Sequence, residues 1–124
     1  MQSAGIQNLM RVDSLIASDI NNILIREKDN DHSINLYNAG DVWVAFEKSA
    51  YLLEQLSDNM DMTMVIRLKD RPFPVIFNLI TDTSLQQLSK HTTSIRFSHN
   101  HIQILSDSFD YNNYKAWYRE LVIE

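Results

Sequence analysis

Ile34-Asn35-Leu36-Tyr37-Asn38-Ala39-Gly40-Asp41-Val42-Trp43-Val44-Ala45-Phe46 is the stretch from which the rest of the chain can be read. From His32 to Asn38 the residues alternate, with Ile34 and Leu36 on one face and Ser33, Asn35 and Tyr37 on the other. A period of two predicts a half-buried strand. Gly40 stands between two such patterns and predicts a hairpin turn that needs positive φ. Val42, Val44 and Phe46 then share one face of a second strand, with Trp43 and Ala45 on the other. From Glu47 the period lengthens to that of a helix. Phe46, Ala50 and Leu53, with Leu52 and Leu56 beside them, form an apolar stripe, and Ser57-Asp58-Asn59 closes it.

Upstream, residues 4–28 hold no proline and carry Ile6, Leu9, Met10, Leu15, Ile16, Ile20, Ile23 and Leu24 at spacings of three and four, a helical pattern. Ser18 is a candidate cap for a segment opening at Asp19, so one long helix and two helices broken near Ser18 both fit. The turn-forming cluster Asp29-Asn30-Asp31 ends this region. Downstream, Met60 to Leu68 reads as a strand. Met60, Met62, Met64, Ile66 and Leu68 point one way, and Asp61, Thr63, Val65, Arg67 and Lys69 the other. Asp70-Arg71-Pro72 is a turn. Phe73 to Leu79 is an apolar strand, and Thr81-Asp82-Thr83-Ser84 offers caps for a short helix anchored by Leu85 and Leu88 and ending near Lys90. Ser94 to Ser98 and His101 to Leu105 read as a hairpin around Asn100. Asp107 or Asp110 caps a last helix, along which Tyr114, Trp117, Tyr118 and Leu121 recur. The order helix, two strands, helix, two strands, helix, one or two strands, helix predicts an α/β (α+β) domain, a mixed β-sheet flanked by helices.

The chain's 124 residues suit one domain with its own core. It divides into a helical extension over 1–17, a core over 18–105 and a C-terminal helix over 106–124. Without cysteine there is neither a disulfide framework nor a thiolate metal site. No apolar run approaches the roughly 20 residues of a membrane span. Met1-Gln2-Ser3-Ala4-Gly5 lacks the basic and apolar regions of a signal peptide, so a cytoplasmic location is the expectation. The net charge of −5 disfavours non-specific binding to nucleic acid. Residues 1–59 have a balance of −5, residues 60–105 one of +2 and residues 106–124 one of −2, so the middle third best suits a polyanion.

The Gly40-Asp41 turn, the strand and helix that follow it, the proline-flanked strand at Pro72 and Pro74, and the helix over Asp82 to Lys90 together resemble the amino-terminal mismatch-recognition domain (domain I) of the MutS family, from about Ser18 to Leu105. The resemblance implies that fold. In the family a phenylalanine wedges into the duplex and stacks on a mispaired base, a tyrosine follows it, and a glutamate then hydrogen-bonds the base. These positions fall here on Val42, Trp43 and Val44. Valine has no π-face and accepts no hydrogen bond. Stacking worth about 1–3 kcal/mol per base is lost, and nothing offsets the cost of kinking the duplex. Mismatch reading is therefore not expected. No Gly-x-x-x-x-Gly-Lys-Ser/Thr loop is present for an ATPase.

Other chemistry is sparse. His99 and His101, with His91 from the preceding helix end, offer three imidazoles for zinc, or else form a polar hairpin tip. Arg67, Lys69 and Arg71 share one face of a strand and its turn; with Arg96 they make a candidate phosphate-contacting stripe, or else a solvated face. Trp43 either anchors a partner or packs under a helix. The methionines at 60, 62 and 64 serve either core packing or an adaptable surface. Asp41 beside the turn glycine reads as a turn residue, and no Gly-x-Ser-x-Gly motif occurs. The expectation is a non-catalytic module without cofactor or metal that binds a protein partner. Nucleic-acid binding through Arg67, Lys69, Arg71 and Arg96 is the alternative, and acidic helices at both ends suit a homo-oligomer.

Overall fold

A computed structural model describes residues 4–30, 32–56, 62–106 and 109–123, with the side chains of 4–9 and of Met62 left aside. The elements are α1 (Ala4–Lys28), β1 (Ser33–Ala39), β2 (Val42–Phe46), α2 (Glu47–Leu56), β3 (Met62–Ile66), β4 (Val75–Thr81), α3 (Asp82–Ser89), β5 (Ser94–Ser98), β6 (His101–Leu105) and α4 (Tyr111–Ile123). The strands form one sheet in the order β3-β4-β2-β1-β6-β5. The helix-flanked sheet expected from the sequence is present, but where a mixed sheet was expected all five of its pairings are antiparallel. The reason is local. Three hairpins build it: β1–β2 lies at the centre, β3–β4 adds through β4 to β2, and β5–β6 adds through β6 to β1.

Local chemistry sets the punctuation. Gly40 adopts φ 77°, the left-handed conformation that a two-residue hairpin turn requires. α1 runs unbroken through Ser18, whose hydroxyl donates back to the Ser14 carbonyl at 2.8 Å rather than capping a new helix. Arg26 and Lys28 sit in its last turn, where cations complement the helix dipole. Thr81 caps α3 by accepting the Ser84 N–H at 3.1 Å. Asp110 caps α4 by accepting the N–H groups of Asn112 and Asn113 at 2.9 and 3.1 Å. Asp107, the other candidate, lies outside the described residues.

The sheet is covered on both faces. α1 lays Val12, Ile16 and Ile23 on one face, against Val42, Val44, Phe46, Phe77 and Leu79. Val12 and Ile16, from the stretch read as an extension, are buried in this cluster. α2, α3 and α4 cover the other face with Ala50, Leu53, Leu85 and Trp117, packed on Ile34, Leu36, Trp43, Ile80, Ile102 and Ile104. β2 is therefore buried along its whole length, as a central strand between two layers must be. Phe46 and Phe77, both fully enclosed, each contribute about 1.5–3 kcal/mol through burial.

Candidate interaction surface

The helical layers stop short of β5. All five of its residues are exposed. Ile95 is paired with Gln103, whose side chain reaches Asn35 beneath the C-terminal end of α1, so Ile95 faces the α1 side. Phe97 reaches the same side, with its ring 5.0 Å from that of His101. Ile95, Phe97 and Leu105 are 44%, 56% and 46% exposed, an apolar strip that no helix covers among the described residues. On the opposite face the Arg96 guanidinium lies 5.8 Å over the Trp43 ring.

A cleft of about 750 Å³ lies between α1 and the turns of the β1–β2 and β5–β6 hairpins, at Asn38, Gly40, Ser98 and Asn100. Arg11, Ser14, Ser18 and Arg26 form its helical wall, and Tyr37 and His101 its floor. The Tyr37 and His101 rings stack at 4.9 Å and 15°. Arg26 donates to the Tyr37 hydroxyl at 2.6 Å. Burial pushes the Tyr37 phenol up to about 12, against the pull of Arg26. Burial, with the Arg26 charge, holds the His101 imidazole below its ordinary value. His101 Nε2 lies 2.9 Å from Asn35 Oδ1. Because the Asn35 amide nitrogen donates to Glu27, its oxygen must be the acceptor, so His101 Nε2 carries the proton and donates. This ring is a packed, neutral donor.

Beneath the C-terminal end of α1 lies a buried polar cluster. Glu27 accepts four hydrogen bonds. The Ser49 N–H at 2.8 Å and the Asn30 amide at 3.3 Å reach Oε1, and the Ser49 hydroxyl at 2.6 Å and the Asn35 amide at 3.2 Å reach Oε2. Burial pushes its carboxyl up, and these donors pull the other way. Glu47, at φ 50°, turns the chain from β2 into α2, and its Oε2 accepts the Ile76 N–H at 3.0 Å. Burial, opposed by that bond and reinforced by the Glu27 charge, pushes Glu47 up to about 7. The arrangement is a splice. Where β2 leaves the sheet, Ser49 Oγ accepts the Asn35 N–H at 2.9 Å and Glu47 accepts that of Ile76, so both strand donors keep partners.

The residues singled out from the sequence are dispersed. β3 ends at Ile66, so Arg67, Lys69 and Arg71 lie in the following loop and not on one strand face. They also diverge. Arg71 donates to Asn21 in α1, whereas the Arg67 charge acts on the Tyr118 phenol of α4, on the other side of the sheet. Arg96 sits on β5, at the opposite edge from β3. Val42 and Val44 are buried beneath α1. Trp43 is 4% exposed and donates to Asp82 Oδ1 at 3.2 Å, so it packs under α3 and presents no anchor. Met64 and Ile66 pack toward α1, while Met60 and Asp61 lie outside the described residues. His91 and His99 are exposed, and no group of three or more metal-ligating side chains gathers among the described residues.

Sequence reasoning missed Glu27, Glu47, Ile95 and Phe97. One signal was present for Glu27. It continues the series Ile16, Ile20, Ile23 at helical spacing, an acid on an apolar stripe. Among the described residues no helix is long and apolar enough to cross a membrane. Compared with known proteins, the chain matches no protein family, and neither a curated protein nor a solved structure is significantly similar to it.

Proposed function

We propose that this chain is a non-catalytic interaction module of MutS amino-terminal-like fold, one that binds a protein partner and does not read mismatches. The observation that carries the reading is the β5–β6 hairpin, which projects Ile95, Phe97 and Leu105 beyond both helical layers. Contiguous exposed apolar side chains on a small domain mark an interaction surface. The ancestry in this proposal rests on the Gly40-Asp41 turn and the order of elements around it. Burial of Val42 and Val44 beneath α1 supports the loss of mismatch reading, since neither side chain can reach a duplex. Dispersal of Arg67, Lys69, Arg71 and Arg96 weighs against a phosphate-tracking stripe, which needs its cations on one surface.

Two measurements test this. Fluorescence anisotropy of labelled matched duplex, mismatched duplex and single strand is expected to show no binding at low salt. Salt-sensitive binding that falls in Arg67→Glu would support the nucleic-acid alternative instead. In parallel, Phe97→Asp, an exposed change costing about 0.5 kcal/mol or less, is expected to fold normally and to lose partners that the unaltered chain retains from cell extract. Identical retention by both proteins would overturn the assignment of this surface.

A further inference from the structure

We infer that the outer edge of β5 takes up an extended segment of a partner protein, with acidic and apolar residues in alternation, as an added strand of the sheet. The inference rests on the interaction-module reading above and specifies how that module binds. It begins with the hydrogen-bond phase. Leu105 N–H donates to the Thr93 carbonyl at 2.9 Å, and Ile95 is the partner of Gln103. Hydrogen-bonded pairs recur every second residue in an antiparallel ladder. Thr93 and Ile95 therefore turn their N–H and C=O groups toward β6, and Ser94 and Arg96 turn theirs outward. The neighbouring ladder agrees. Ser106 N–H donates to the His32 carbonyl and Asn38 N–H to the Asn100 carbonyl, which places the even-numbered residues of β6 toward β1. The outward row ends at the irregularity between Arg96 and Ser98, so the available edge is short.

Charge specifies the segment. Residues 83–106 contain no Asp or Glu, although the chain has 16 and a net charge of −5. The same stretch holds Lys90 and Arg96, with His91 and His99 beside them. Among the described residues, Asp82 is held by Trp43 and Asp19 lies on α1 across the cleft, both inward of the edge. An arriving strand must match two faces. Its residues on the α1 side meet Ile95 and Phe97, and those on the other side lie beside Arg96, an exposed residue whose guanidinium extends over the Trp43 ring. Opposite charges and apolar pairs across strands each stabilise pairing, so an alternating acidic and apolar segment fits both faces at once. A second copy offers no counter-charge. β5 carries no acid of its own, so antiparallel β5–β5 pairing sets Arg96 against Arg96 or against Ser94 and leaves its charge unmatched. Strand addition also derives its affinity from main-chain bonds and its selectivity from alternate side chains.

The test is selection of random peptides displayed on phage against the whole chain, followed by amide chemical-shift mapping with a selected peptide. The expected peptides alternate Asp or Glu with apolar residues, shift the amides of residues 93–98, and bind Arg96→Glu at least about tenfold more weakly, equivalent to about 1.4 kcal/mol. Ser94→Pro is the backbone control. Proline is tolerated on an edge whose N–H faces solvent, so this variant is expected to keep its circular dichroism spectrum while losing the peptide. Selected peptides that are basic, that bind Ser94→Pro unchanged or that map elsewhere would overturn the edge while leaving the interaction-module reading in place. A selection yielding no binding peptide at all would overturn both. Concentration-dependent self-association lost in Ser94→Pro would show that a second copy is the occupant and would overturn the acidic partner.

Discussion

Glu27, near the end of α1, receives both the N–H and the hydroxyl of Ser49, in the first turn of α2, at 2.8 and 2.6 Å. One carboxylate thereby caps a helix that follows it by a hairpin and fixes the exit of the chain from the sheet. Ser49→Ala removes a donor to Glu27 and the acceptor of the Asn35 N–H. Each buried group left unpaired costs about 1–3 kcal/mol, so urea denaturation is expected to show a loss of about 2–4 kcal/mol. Glu27→Gln is expected to be as damaging despite its shape, because both carboxylate oxygens face donors and an amide nitrogen at either would oppose one. Stability within about 0.5 kcal/mol of the unaltered chain would refute the splice.

Glu47 gives the fold a pH dependence of definite sign. Burial raises its carboxyl from 4.5 to about 7, so the folded state favours the protonated form. Its stabilising contribution is complete below the unfolded value near 4.5 and is lost as pH rises through about 7. Glu47→Gln keeps the shape and removes the proton. The unaltered chain is expected to lose stability relative to the variant between these two pH values, by on the order of 1–3 kcal/mol. Subtracting the two unfolding curves isolates this group from His101, whose lowered value acts in the opposite direction, destabilising as pH falls below 6.5. A flat difference across that window would show that Glu47 stays charged in the fold.

Asn78 is fully buried in β4, where its amide donates to the Ala50 carbonyl at 2.9 Å and its Oδ1 has no partner among the described residues. An unpaired buried acceptor costs about 1–3 kcal/mol. Asn78→Leu removes both polar atoms at similar volume and places an apolar side chain against Ala45 and Ala50. Thermal denaturation is expected to show no loss, or a gain of up to about 1–2 kcal/mol. A marked loss would mean that Oδ1 is hydrated or that the Ala50 bond matters more than its geometry suggests.

Gly40 occupies φ 77° in the central hairpin turn. Gly40→Ala places a Cβ in the left-handed region and is expected to cost about 1–2 kcal/mol. Gly40→Asn is expected to cost less, since asparagine tolerates that conformation. Equal losses from the two variants in equilibrium unfolding would point to a role for the glycine other than its backbone angle.

Much of the secondary structure was legible because its causes are local. Alternation over residues 32–38 and 42–46 marked both strands and sorted their faces, and Gly40 marked the turn; side-chain chemistry narrowed the caps to Thr81–Ser84 and to Asp107 or Asp110, and the fold uses Thr81 and Asp110. Periodicity could not say which faces are covered. The same alternation left Trp43 free to be surface or core, and only α3, with Asp82 at the indole, decided it. Spacing likewise placed Arg67, Lys69 and Arg71 together, yet β3 ends at Ile66 and Arg71 is drawn to Asn21 of α1.

By itself, then, the sequence determined the alternating helices and hairpins, the left-handed turn at Gly40 and the acidic balance, since each depends on neighbours a few residues away. The tertiary structure alone decided that β4 joins β2 and β6 joins β1. It also decided that Glu27 meets Ser49 and that β5 is left as a free edge with Ile95, Phe97 and Arg96 exposed. Those outcomes depend on which hairpin docks on which strand and on how far the helices reach across the sheet. Such pairings are fixed by the joint burial of residues distant in the chain, which no local period encodes.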